Sequence, residues 1–190
     1  MKEPRMASAP DRKSVPVAAI VGFSNSGKTT VMEKLVSEMV GRGFRVGTVK
    51  HDVHGFDMDH PGKDTWRHKQ AGATATIISS PRQIGMVKDV DHDHDPLELA
   101  SLMPDVDLVL LEGYKRAAIP KIEVFRSEVS KKIFNQDDPN LVAVISDAKH
   151  HIPVPCFGHE EIGRITDFLI DRFALGTNHK VPETDQTGSA

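Results

Sequence analysis

The chain has 190 residues, enough for one well-buried domain, of which 38% are hydrophobic and 27% charged. A net charge of −3 and a pI of about 6.4 give no bulk attraction to nucleic acid or to an anionic membrane. No apolar run approaches the roughly 20 residues that span a bilayer.

The single cysteine, Cys156, excludes an internal disulfide and fits a reducing, cytoplasmic setting. Residues 1–14 carry charges but no apolar segment, so they do not read as a signal peptide and are expected to form a disordered lead-in. Residues 176–190 are polar and rich in Thr, Ser, Gly and Pro, and are expected to form a disordered tail. The folded domain is therefore expected over residues 15–175.

Residues 15–21 are apolar or small and predict a buried first strand. Gly22-Phe23-Ser24-Asn25-Ser26-Gly27-Lys28-Thr29 follows, which fits G-x-x-x-x-G-K-[ST], the phosphate-binding loop. Strand before and helix after is the setting this motif requires. Gly22 and Gly27 allow the tight backbone path. The amides of Ser24, Asn25 and Ser26 between them form an anion nest, and the helix that starts near Lys28 adds its positive N-terminal end, with Thr30 in its first turn. Lys28 is expected on the β- and γ-phosphates and the Thr29 hydroxyl on Mg²⁺.

Residues 28–42 predict the first helix, with Val31, Leu35, Val36, Met39 and Val40 as its buried stripe and Gly41 and Gly43 ending it. Residues 44–50 predict a second strand, parallel to the first, with Val46 and Val49 in the core. The segment 51–62 is a loop dense in Asp and His and broken by Gly55, Pro61 and Gly62. A short helix follows over 63–71. The β-branched run 73–79 and residues 83–87 predict two strands that pair antiparallel because so little chain separates them. Residues 96–103 predict a helix, with Asp95 as N-cap and Pro96 in the first helical position.

Asp107-Leu108-Val109-Leu110-Leu111-Glu112-Gly113 reads as a central parallel strand, buried on both faces and ending in an acid. Glu112, at the end where ligands sit, is the residue expected to hold Mg²⁺ together with Thr29; Asp107 is at the wrong end. Residues 121–125 alternate like a half-exposed strand, 141–145 read as a buried strand followed by Ser146-Asp147, and 162–173 form a closing helix. The expected architecture is a three-layer α/β P-loop NTPase fold, with a mostly parallel central sheet and short antiparallel strands.

Three blocks in combination resemble one family: GFSNSGKTT at 22–30, VKHDVHGFDMDHPGKDTWRHKQAGA at 49–73 and DLVLLEGYK at 107–115. Together with Ser146-Asp147 after the 141–145 strand, they resemble the molybdopterin-guanine dinucleotide biosynthesis protein B (MobB) family over about residues 15–173. The resemblance implies a GTP-binding P-loop protein that is at most a slow GTPase. It also implies a homodimer with extra strands in the association, and an adapter role beside the nucleotidyltransferase that attaches GMP to molybdopterin. Molybdopterin itself is a possible ligand, whereas nucleic acid and membrane are not expected partners. Tyr114 stands where the family also uses Phe.

The remaining polar clusters have two readings each. Asp59, Lys63 and Arg67 follow the second strand and could meet the γ-phosphate, its Mg²⁺ or the attacking water, with Arg67 neutralising transition-state charge; the alternative is a solvated loop with helix pairs. Asp147 has the chemistry to accept from guanine N1–H and N2–H₂, a pattern adenine lacks. The N-K-x-D box is absent, however, and a local turn cap is the alternative. The Asp/His clusters at 51–60 and 92–95 lack the spacing of a structural zinc site and read as solvated loops. A P-loop kinase passing a γ-phosphoryl group to a small molecule is the competing function.

Overall fold

The computed structural model describes residues 14–57 and 59–176. Apart from Ser14 and Gly176, the lead-in and tail lie outside the described residues. The chain divides into two compact units, one holding the residues up to His51 and from Asp95 onward, the other Asp52–His94.

The larger unit is built on six strands. They are β1 (Val17–Val21), β2 (Val46–Lys50), β5 (Leu108–Glu112), β6 (Lys121–Phe125), β7 (Leu141–Ser146) and β8 (Cys156–Phe157), in the order β2-β5-β1-β6-β7-β8. Every pairing in this sheet is parallel. β1 and β5 have no exposed face, so their sequences are continuous apolar runs rather than alternations. Their side chains divide with period two. Ala18, Ile20, Leu108 and Leu110 enter one core with α1 (Lys28–Gly41) and α4 (Ile162–Phe173). Val17, Ala19, Val21, Val109 and Leu111 enter the other, with Ala100 of α3 (Pro96–Ser101). That is the expected three-layer arrangement.

The helix signals behave as their chemistry predicts. Gly43, at φ 87°, closes α1, and the Phe44 amide reaches back to the Met39 carbonyl at 3.0 Å. The Asp95 carboxylate accepts from the Leu97 amide at 2.8 Å, capping α3 with Pro96 at its start. On α1 the buried stripe is Val31, Met32, Leu35 and Met39. Val40 is exposed, contrary to expectation, and Met32 takes the inward place. Val46 and Val49 are only partly buried because β2 is the edge strand.

β6 departs most from its sequence. The K-I-E-V-F alternation reads as half exposed, yet all five residues are buried. Lys121 lies 2.6 Å from Asp138, and the Glu123 carboxylate accepts from the Phe134 amide and from both nitrogens of Asn135 at 2.7 to 2.8 Å. A buried charge is tolerated when it is paired or fully hydrogen-bonded, and these two are. The short β8 was not anticipated at all.

The smaller unit contains α2 (Asp64–Gln70) and the antiparallel pair β3 (Ala75–Ser79) and β4 (Ile84–Lys88). Ile77 pairs with Met86 and Ser79 with Ile84, so Ile77, Met86 and Ile84 share one face of the ribbon, and all three are exposed. Among the described residues no helix is long and apolar enough to cross a membrane.

Candidate functional site

β1 ends at Val21 and the chain turns at once into the loop 22–27. Gly22 has φ 143°, and a Cβ there would stand 2.4 Å from the Val124 carbonyl oxygen and 2.8 Å from the Ser26 hydroxyl. Only glycine fits that approach. Gly27, at φ 95°, precedes α1 without a capping side chain, and no acid occupies the first turn. The orphan amides and positive end of a 14-residue helix are thus left facing the loop. The Ser26 hydroxyl is buried and has no hydrogen-bond partner among the described residues.

The Lys28 ammonium donates to the Phe23 carbonyl at 2.8 Å, folding back over the loop. Burial pulls its pKa below the ordinary lysine range; the Glu112 carboxylate opposes this, and the Lys115 and Lys50 charges reinforce it. Three ammonium groups gathered with one carboxylate form a site that an anion with several charges would relieve.

Register places Glu112. It lies opposite Ile20 of β1 and Lys50 of β2. The strand ends are laced together beyond it: the His51 amide donates to the Glu112 carbonyl at 3.0 Å, and the Gly113 amide to the Ile20 carbonyl at 3.1 Å. The turn then passes through Gly113 at φ 103° and Tyr114 at φ 55°, and the Tyr114 ring stacks on His51 with centroids 4.4 Å apart. Glu112 consequently faces α1, where the Thr29 hydroxyl donates to its carboxylate at 3.3 and 3.4 Å. A hydroxyl and a carboxylate converging on one point are hard oxygen donors of the kind Mg²⁺ takes, so the residues present fit that ion.

A second cleft of about 480 Å³ lies at the ends of β7 and β8, walled by Ser146, Asp147, Lys149, His150, Phe157 and Glu161. That volume lies within the range of small-molecule sites. The Ser146 hydroxyl bonds His150 Nε2 at 2.8 Å and accepts from the Ala148 amide at 2.9 Å. Asp147 is exposed, and its carboxylate accepts from the Ser127 amide at 3.0 Å and the Ser127 hydroxyl at 3.0 Å. Those bonds, led by the Ser127 amide, hold its pKa below the usual carboxylate value.

The motif residues Gly22, Ser24, Asn25, Ser26, Gly27, Lys28, Thr29 and Thr30 therefore lie together at the end of β1 with Glu112 beside them, in the same compact unit as Asp147. Asp59, Lys63 and Arg67 belong to the other unit. There the Asp59 carboxylate accepts from the His60 amide at 2.9 Å, Lys63 precedes α2, and Arg67 lies 3.9 Å from Asp64.

Sequence reasoning missed Arg126. Its Nε donates to the Ser26 carbonyl at 3.2 Å from the end of β6, so it lies against the P-loop. No spacing rule links position 126 to a motif at 22–29. The one available signal was its place just past a strand beside β1.

The family model for molybdopterin guanine dinucleotide synthesis protein B (MobB) matches residues 17–147. The chain is 34% identical over 160 residues to the molybdopterin-guanine dinucleotide biosynthesis adapter protein of Haemophilus influenzae, covering 82% of this chain and 88% of that one. It is 32% identical over 163 residues to its Escherichia coli counterpart, covering 83% and 93%. Among solved structures, the crystal structure of Bacillus subtilis MobB superposes with a TM-score of 0.66 at 27% identity, over 85% of this chain and 98% of that one.

Proposed function

The chain belongs to the MobB family, and from that premise we propose that it is a Mg²⁺-dependent GTP-binding adapter in the synthesis of the guanine-dinucleotide form of the molybdenum cofactor. The observation that carries the nucleotide half is the meeting of Lys28, Thr29 and Glu112 at the glycine-bounded loop. Lys28 and the loop amides hold the phosphates, while Thr29 and Glu112 hold the cation, which neutralises phosphate charge when bound.

Guanine is read by Asp147 in the cleft at the end of β7. Its carboxylate is the acceptor that guanine N1–H and N2–H₂ require, and the Ser127 amide and hydroxyl fix its orientation. Hydrolysis is slow, and the main task is holding nucleotide for a partner nucleotidyltransferase. The chain works as a homodimer in the cytoplasm. The exposed Ile77, Ile84 and Met86 on one face of the β3–β4 ribbon support association, since a lone two-stranded ribbon is marginal in water.

Capture of the purified nucleotidyltransferase by immobilised chain tests the adapter role. We expect capture at micromolar concentration with GTP and Mg²⁺, and weaker capture by Lys28→Ala, which lacks the phosphate-holding charge. Absence of any complex at that concentration would refute it.

A further inference from the structure

Two consecutive residues at the end of β6 join the two halves of the site. The Arg126 guanidinium donates through Nε to the Ser26 carbonyl of the P-loop, and it lies 3.4 to 3.9 Å from where a Cβ on Gly27 would be. Its neighbour Ser127 holds the Asp147 carboxylate with both its amide and its hydroxyl. A ligand anchored by phosphates at 22–30 and read by Asp147 has to pass over residues 126 and 127.

Arg126 is half-buried, and among the described residues no hydrogen bond or ion pair engages its two Nη nitrogens. Its acidic neighbour Glu160 is bonded to Lys34 at 2.7 Å. A partly desolvated guanidinium with its outer donors unspent offers two things to a nucleotide. It has a flat cationic face that stacks on a ring, and N–H groups that suit sugar or phosphate oxygens. Lysine offers neither the plane nor the fork.

We propose that Arg126 contacts the nucleoside half of the bound nucleotide, its face against the base and its Nη donors toward the sugar oxygens, while Ser127 positions Asp147 for the base edge. This rests on the guanine-nucleotide reading and adds to it the residues that tie phosphate cradle to base pocket. In a chain without an N-K-x-D box, the arginine comes from the strand next to the P-loop strand rather than from the segment that carries the reading carboxylate.

Titration of wild type, Arg126→Gln, Arg126→Lys and Ser127→Ala with GTP, ATP and inorganic tripolyphosphate, all with Mg²⁺, separates the possibilities. Gln and Lys both keep a donor for the Ser26 carbonyl. We expect Arg126→Gln to weaken GTP about tenfold, the scale of one charge-assisted hydrogen bond, and to leave tripolyphosphate unchanged. Arg126→Lys should lose a similar share. Ser127→Ala should lower the preference for GTP over ATP without affecting tripolyphosphate. Equal losses for GTP and tripolyphosphate would mean that Arg126 only props the loop, and undiminished GTP binding by both Arg126 variants would overturn the proposal outright. Wild type that bound GTP no better than tripolyphosphate would instead sink the guanine reading, and this proposal with it.

Discussion

The Thr29 hydroxyl and the Glu112 carboxylate, 83 residues apart in sequence, meet at 3.3 and 3.4 Å at the mouth of the P-loop. Both distances exceed the roughly 2.7 to 2.8 Å of a tight O–H···O bond. Glu112 is fixed by sheet register and Thr29 by the first turn of α1, so neither needs the other to hold its place.

Exchanging Glu112 for Gln keeps the shape and removes the charge. We expect the gain in GTP affinity on adding Mg²⁺ to fall about tenfold, or ~1.4 kcal/mol, while affinity without Mg²⁺ holds or rises because a carboxylate no longer faces the phosphates. Calorimetry with and without the cation reads both quantities. A variant retaining the full Mg²⁺ effect would show that Glu112 is not a ligand.

The ion pair between buried Lys121 and half-buried Asp138 ties the loop after β6 to the sheet beneath the site. Lys121→Met should cost about 1 to 2 kcal/mol, because it leaves the half-buried Asp138 without its cation, and Lys121→Met with Asp138→Leu should recover much of that loss. Burial alone would raise the Asp138 pKa, but the Lys121 hydrogen bond and those from Asn140 outweigh it and leave the pKa lowered. A depressed carboxylate stabilises the fold above the unfolded value of about 3.9, and that contribution is lost as pH falls toward and through its folded pKa. Denaturant melts below about pH 4 should therefore narrow the gap between wild type and Lys121→Met. A gap constant with pH would contradict the assignment.

Where the signal is local, the sequence reads correctly. The buried strand before residue 22, the helix after Gly27, the Asp95 cap and the buried run 108–111 follow from neighbouring residues, and the structure bears them out. β6 does not read correctly, because the groups that satisfy Lys121 and Glu123 lie 11 to 17 residues further on in a loop with no pattern of its own. Arg126 was illegible for the same reason on a longer scale: its bond to Ser26 spans 100 residues. Val40 carries the right period for the core, yet the helix face turned inward is set by the sheet it packs on, and Met32 is the residue that falls there. Asp147 could be found as a strand-end acid, but its partner Ser127 could not.

The central claim is that the P-loop and the Asp147 cleft together hold Mg²⁺ and a guanine nucleotide, and calorimetric titration of the purified chain with GTP and with ATP in Mg²⁺ tests it most directly. The account predicts saturable GTP binding at one site per chain and ATP binding weaker by about tenfold, the scale of a lost pair of hydrogen bonds to a carboxylate. Equal affinity for the two nucleotides, or no binding of either, would contradict it.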